Sequence, residues 1–409
     1  MLVIAWQWLQ VQGEREALRD DARFVLPRYP YDLLDEIRQL ADAHEGGVVD
    51  LSVGTPCDPP PAFVLEAMYK SGSERSYPSS VGAEAYREAA AEWMHRRLGV
   101  SLSPEHVGAC IGAKEFVATT PQWLRLHDPS KDTILYPALS YPTYAMGALL
   151  AGCRAVPVPL DSSSNMELEA IEADDVRRAL AIWVNTPSNP TGAVADLKSV
   201  VEWGRQWGVT VLSDECYVEF TWEGSRQSAL QFGSDGVISL HSLSKRSNMA
   251  GMRAGFYAGD PDLVSYLSEV RKHAGFMVPG PVQVAATAAL LDNEHVDVQR
   301  QRYLERLQLC RQLFVDLGMD VVLPAGGFYI WLGVEEAISR WHEFLDKFDW
   351  DQPKTSSFAF CYLLASAGGA LVSPGEFYGA LGEGYVRIAM VQPLERLQVI
   401  AERLKSQLI

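Results

Sequence analysis

The sequence predicts a two-domain α/β protein organised around a mainly parallel sheet with helices on both faces. Three observations predict it. The chain has 409 residues, more than one hydrophobic core usually supports. From about Ser73 to Val278, short β-rich apolar runs alternate with longer helical ones, the pattern of strands joined by helical crossovers. After Pro281 the pattern changes to a long charged helical run and then to mixed strand-like and helical segments, which marks a second unit.

The first nine residues, Met1 to Leu9, are apolar, but no basic residue leads them and Glu14, Arg15 and Glu16 soon follow. The run is too short to span a bilayer and lacks the small-residue cleavage site of a secretory leader. Residues 1–26 are expected to be an extension ahead of the fold. Thr133-Ile134-Leu135-Tyr136, Ala181-Ile182-Trp183-Val184, Val209-Thr210-Val211-Leu212 and Val237-Ile238-Ser239-Leu240 read as strands between polar or Pro/Gly turns. Their unbroken apolar character predicts burial on both faces. Leu197 to Trp207 reads as the helix before the strand at Val209, and Val282 to Leu317 as one long helix containing the domain boundary. Beyond it, Val321-Val322-Leu323, Gly326 to Leu332 and Tyr385 to Ala389 are strand-like, with a helical region reaching Ala367. These segments predict a small α/β domain of residues 27–56 and 295–409, set against a large domain of residues 57–294.

Composition narrows the function classes. An apolar fraction of 48% with 21% charged residues is that of a globular protein, not of a disordered one. A net charge of −17, with no basic run, argues against a nucleic-acid or anionic-membrane partner. An anionic small molecule remains compatible, because a local cationic pocket can outweigh the distant field. The six cysteines lie far apart with no C-x-x-C pair, which predicts reduced thiols in a cytoplasmic protein. The eight histidines form no H-x-H or H-E-x-x-H pattern, so no metal site is expected.

In open parallel sheets ligands bind beyond the carboxyl ends of the strands. Three chemically suggestive groups stand there: Asn185 to Asn189, Asp214, and Ser242 to Lys245. The last is the most informative. Lys245 follows an apolar run, has Ser242 and Ser244 beside it, and precedes Arg253, which lies between Gly251 and Gly255. An amine that forms a Schiff base next to a phosphate needs such a setting: partial desolvation, hydroxyl and guanidinium partners, and small residues that admit the backbone. Taken singly, most of these residues have structural readings. Asp214 suits a helix cap, Tyr217 a core aromatic, Asn189 turn chemistry, and Arg387 a buried ion pair.

The ordered set resembles the class I/II aminotransferases of pyridoxal-phosphate fold type I, from about Pro27 to the C-terminus. The resemblance rests on Ser52-Val53-Gly54-Thr55-Pro56, Tyr77-Pro78, Gly112-Ala113-Lys114-Glu115 and Tyr141-Pro142-Thr143-Tyr144. It continues through Asn185-Thr186-Pro187-Ser188-Asn189-Pro190-Thr191-Gly192, Ser213-Asp214-Glu215-Cys216-Tyr217, the lysine stretch and Arg387. It implies a large domain with a mainly parallel seven-stranded sheet sandwiched by helices, and pyridoxal 5′-phosphate as cofactor. Lys245 would carry the cofactor and shuttle the proton, Asp214 would pair with the pyridine nitrogen, and Tyr217 and Asn189 would meet its phenolic oxygen. Gly112, Ala113, Lys114, Ser242, Ser244 and Arg253 would surround the phosphate, while Tyr141 would stack on the ring. Tyr77 would reach the phosphate of a neighbouring subunit, which implies a homodimer with composite active sites. Arg387 and Asn189 would take the substrate α-carboxylate, with Gly54 and Thr55 letting the backbone approach it.

Within that family the chain is most similar to actinobacterial-type N-succinyldiaminopimelate aminotransferases. The similarity rests on Asp50 to Pro56, His241 to Lys245, Arg271 to Pro279 and Ser373 to Gly379. It implies that glutamate donates an amino group to N-succinyl-2-amino-6-oxopimelate in a ping-pong cycle of lysine biosynthesis. Lys114, Arg271 and Lys272 are the neighbouring cations for a distal succinyl carboxylate. The alternatives are an aspartate, alanine or aromatic aminotransferase, a lyase on the same fold, and a non-catalytic effector domain.

Overall fold

Apolar runs without polar interruption become the inner strands here, because a strand covered on both faces has no solvent side to supply. The computed structural model describes residues 26–345 and 355–408. The expected N-terminal extension, apart from Leu26, and residues 346–354 of the helical region lie outside the described residues. After the short strand β1 (Val49–Asp50) come β2 (Val107–Cys110), β3 (Thr133–Pro137), β4 (Arg154–Val158) and β5 (Ala179–Asn185). They are followed by β6 (Thr210–Asp214), β7 (Val237–Ser242) and β8 (Gly255–Gly259). The seven-stranded sheet has the order β2-β8-β7-β6-β5-β3-β4, and only β8 runs antiparallel to its neighbours. Three of its strands are not signalled by hydrophobic runs, each for a visible reason. β2 and β8 carry glycines, and β4 carries Pro157, which an edge strand tolerates because one side of its ladder is unpaired.

Helices Glu84–Leu98, Leu197–Trp207 and Gly280–Leu291 cover one face of the sheet through Trp93, Val200 and Ala285. Ala113–His127, Thr143–Leu150 and Pro261–His273 cover the other through Phe116, Ala148 and Leu267. The helix Leu197–Trp207 falls where its capping signals put it. The Asp196 carboxylate accepts the Ser199 N–H at its start, and Gly208 takes a left-handed conformation at its end. The run expected as one helix from Val282 to Leu317 is instead two, Gly280–Leu291 and Glu294–Asp316. The break falls at Asp292, which turns to an extended conformation, and its carboxylate accepts the His295 N–H in the first turn of the second helix.

A second layer follows. β9 (Tyr329–Gly333), β11 (Ser373–Pro374) and β12 (Tyr385–Ala389) form an antiparallel sheet in the order β11-β12-β9, while β10 (Ala370–Leu371) pairs in parallel with β1. Val321 to Leu323, expected as a strand, forms none. Helix Ser356–Gly368 is the centre of this layer's core, with Phe358, Phe360, Leu363 and Leu364 almost fully enclosed. Burying each such side chain contributes about 1.5–3 kcal/mol. Among the described residues, no helix is long and apolar enough to cross a membrane, and no cluster of His, Cys, Asp or Glu could hold a metal ion.

Candidate active site

β7 ends in the Leu243–Arg246 turn, where the Ser242 hydroxyl accepts the Ser244 N–H at 3.1 Å. That cap turns the Lys245 side chain into the molecule, where its ammonium donates to the Gly54 carbonyl. Burial lowers its pKa to about 8; the Arg387 and Arg253 cations push the same way, and Cys216 opposes them. The amine is thus poised far closer to neutrality than a surface lysine.

One strand away, β6 ends at Asp214, in register with Asn185 on β5. The Asp214 carboxylate accepts the Tyr144 hydroxyl at 2.8 Å and the Cys216 N–H at 3.2 Å. Among the described residues it has no ion-pair partner, and burial raises its pKa. Enclosed without a cation, it is matched to a protonated ligand atom. Asn185 holds the neighbouring loop: its amide donates to the Asp214 carbonyl, and its side-chain oxygen accepts the Asn189 N–H at 2.7 Å.

The β2–β8–β7 ladder sets Cys110, Gly255 and Ser242 in a row. Beyond its end stand Gly112, at φ +74°, and the N-terminus of helix Ala113–His127. A Cβ on Gly112 would collide with the Arg253 guanidinium. Arg253 donates only to the carbonyls of Ala250 and Ile111, so its charge is not neutralised by any described carboxylate. Free helix N–H groups beside an uncompensated guanidinium form an anion cradle. Ser242 and Ser244 lie buried at its edge. The Lys114 side chain points elsewhere. Its ammonium sits 5.2 Å from the Tyr29 ring centroid; burial disfavours its charge, but Tyr141 and Tyr29 outweigh that and raise its pKa.

Arg387, on β12, is 1% exposed. One terminal nitrogen donates to the Asn189 side-chain oxygen at 2.8 Å, the other to the Ser52 carbonyl and the Tyr31 hydroxyl, and Nε has no partner. The rings of Tyr329 and Tyr378 flank the guanidinium, at 4.2 and 4.8 Å. No described carboxylate pairs with it, so the ion-pair reading of Arg387 is not realised. Tyr217 shares a 2.8 Å hydrogen bond with the Tyr329 hydroxyl. A Cβ on Gly54 would collide with that same hydroxyl, so the glycine is required by a side chain of the protein itself.

Lys245, Gly54, Asn189, Asp214, Tyr217 and Arg387 thus line one region, with Gly112, Ala113, Ser242, Ser244 and Arg253 at its anion-binding end and Tyr141 beside Lys114. Tyr77 is not brought there; it is 96% exposed. Two cations named for a distal carboxylate are already engaged. Arg271 is buried in a two-pronged pair with Glu115, both bonds 2.7 Å, and the exposed Lys272 lies 3.5 Å from Glu269. Asn185, which follows a predicted strand, was among the suggestive residues without a role of its own. Sequence reasoning gave no role to Tyr144, Tyr329, Tyr31 and Tyr378. Tyr144 stood within the Tyr-Pro-Thr-Tyr run, Tyr329 in the strand-like run Gly326 to Leu332 and Tyr378 in the Ser373 to Gly379 stretch, while Tyr31 had no local signal.

A family model for aminotransferases of class I and II matches residues 46–404. The chain is 39% identical over 387 residues to 4-dedimethylamino-4-oxo-anhydrotetracycline transaminase OxyQ of Streptomyces rimosus, covering 93% of this chain and 99% of that one. It is 35% identical over 395 residues to the LL-diaminopimelate aminotransferase of Aquifex aeolicus, covering 93% and 97%. The solved structure of a probable N-succinyldiaminopimelate aminotransferase from Thermus thermophilus superposes with a TM-score of 0.78 at 29% identity, covering 92% and 99%.

Proposed function

The chain belongs to the class I and II aminotransferases, which use pyridoxal 5′-phosphate, and from that premise we propose that it moves an amino group from glutamate to N-succinyl-2-amino-6-oxopimelate. The observation that carries the catalytic part is Lys245: an enclosed amine with a depressed pKa, between a cation-free buried carboxylate and an acid-free buried arginine.

These residues fit the cofactor by charge and by space. The Arg253 guanidinium, the Ala113 helix start and the clearance at Gly112 suit a phosphate. Ser242 spends only an acceptor lone pair on its cap, so its proton is free for a phosphate oxygen, with Ser244 alongside. Asp214 would hold the proton of the ring nitrogen, Tyr217 and Asn189 would meet the phenolic oxygen, and Tyr141 would lie against the ring. When bound, the cofactor supplies an electron sink and the carbonyl that carries the amino group. Lys245 takes the proton from the substrate α-carbon and returns it on the other side of the transfer, which its lowered pKa favours at neutral pH. Arg387, with Asn189, binds the α-carboxylate through its planar fork. Until the cofactor is attached, the Gly54 carbonyl accepts the lysine ammonium and holds it in the site.

The acceptor rests on the similarity to N-succinyldiaminopimelate aminotransferases and on Lys114, the neighbouring cation not engaged by a carboxylate among those considered. It would meet the distal succinyl group. The exposed apolar side chains Phe63, Leu65, Tyr69, Val284, Leu291 and Val298 suit a second copy of the chain, whose Tyr77 would complete the phosphate site. The six unpaired cysteines suit a cytoplasmic enzyme. A second reading, in which the acceptor is a cyclic ketone, is favoured by the 39% identity to the tetracycline-pathway transaminase. The test is a half-reaction: load the enzyme with glutamate, remove 2-oxoglutarate, and follow absorbance as acceptors are added. N-succinyl-2-amino-6-oxopimelate should restore the original spectrum fastest. If oxaloacetate, pyruvate or a cyclic ketone does so as fast, the assignment of acceptor is wrong.

A further inference from the structure

Tyr329 touches both halves of the site and has no role in the scheme above. It sits on β9, two residues before Trp331, the register partner of Arg387 on β12. Period-2 alternation therefore puts its ring on the same face as the arginine. The ring centroid is 4.2 Å from the guanidinium carbon, while the hydroxyl is 2.8 Å from the Tyr217 hydroxyl. Tyr217 and Tyr329 are both buried. Gly54 is kept bare of a side chain by this hydroxyl, since a Cβ there would overlap it. One residue thus spans from the carboxylate-binding arginine to the tyrosine beside the cofactor.

We infer that Tyr329 is a positioning residue with two separable jobs, resting on the aminotransferase reading above: its ring holds Arg387 ready for the substrate carboxylate, and its hydroxyl orients the Tyr217 proton. Two hydroxyls that share one hydrogen bond have one proton left over. With an anionic ring oxygen on the open side of Tyr217, the lower-energy arrangement has Tyr329 donating to Tyr217 and Tyr217 donating to that oxygen. Each bond polarises the next, so the outer hydroxyl strengthens the inner one. The ring works independently of the hydroxyl, because a cation over an aromatic face is attracted by the ring quadrupole. Trp331 or Tyr378 cannot substitute for it: neither is hydrogen-bonded to Tyr217.

The test uses the cofactor-loaded full-length enzyme and two variants, Tyr329→Phe and Tyr329→Leu. The first readout is the pH titration of the bound cofactor's visible absorbance, without turnover. Losing a donor behind Tyr217 destabilises the unprotonated form, so in both variants the midpoint should rise by about half a pH unit or more. The second readout is KM for glutamate. Tyr329→Phe keeps the ring and should leave KM within about twofold while kcat falls; Tyr329→Leu should raise KM about fivefold or more. Tyr329→Phe preserves the packing, so it tests the hydroxyl even if the leucine variant does not fold. A normal wild-type titration with an unmoved midpoint in Tyr329→Phe overturns the hydroxyl's job. Equal KM increases in both variants overturn the separation of the two. A wild-type protein that takes up no cofactor overturns the functional reading itself, and this inference with it.

Discussion

An amine held near neutrality inside a protein has a measurable signature. Only unprotonated Lys245 can attack a carbonyl, and burial holds its pKa at about 8. The rate of pyridoxal-phosphate uptake by the apoprotein should therefore climb as pH rises towards 8 and level off above it; a rate independent of pH from 6 to 9 would contradict this. If Arg387 binds the substrate α-carboxylate as proposed, Arg387→Leu would remove two charge-assisted bonds and should raise KM for glutamate by about a hundredfold, with Arg387→Lys recovering only part. Behind the site, burial pushes Glu215 up to about 7. The folded protein then retains a proton that the unfolded chain has already released, so Glu215 costs stability as pH rises from the ordinary carboxylate range through 7. Thermal unfolding measured at pH 5 and pH 8 should show a smaller loss in Glu215→Gln than in the wild type. At this scale the sequence was most legible where a residue's neighbours along the chain carried its meaning, as around Lys245 and Asp214. Gly54 is the contrary case: its requirement comes from the Tyr329 hydroxyl, a contact no local pattern announces.

Strands and turns decide which of those residues meet. The inner strands β3, β5, β6 and β7 were readable because burial on both faces leaves an unbroken apolar run. β2 and β8 were not, because glycine carries no hydrophobic signal, yet they set the Gly112 cradle against Ser242. Hydrophobic pattern likewise hid the break at Asp292, where one extended residue, its carboxylate bonded to the His295 N–H, interrupts a helical pattern that continues on both sides. The cradle makes its own prediction. Gly112 combines φ +74° with a side-chain clash against Arg253, so Gly112→Ala should weaken cofactor binding by about tenfold or more, measured by titrating the apoprotein. An unchanged affinity would mean that the phosphate lies elsewhere.

Across the whole molecule the site is assembled from segments far apart in sequence. Tyr31 and Tyr378 bring their hydroxyls to 3.1 Å of one another beside Arg387, a meeting of segments 347 residues apart around one hydrophobic core. Tyr77 extends the same logic beyond one chain, since it is almost wholly exposed here. If it serves a partner's site, mixing the inactive variants Lys245→Ala and Tyr77→Ala under subunit exchange should recover about a quarter of wild-type activity, because half the dimers are hybrids with one intact site. No recovery would mean that Tyr77 acts within its own chain, and a Tyr77→Ala variant that is fully active by itself would mean that Tyr77 has no role in the site. Every role assigned to these residues depends on where the cofactor is attached. Borohydride reduction of the yellow enzyme, followed by proteolysis and mass mapping, should leave one cofactor per chain, on the peptide carrying Lys245. A label on any other lysine, or no label on a protein that still transaminates, would contradict it.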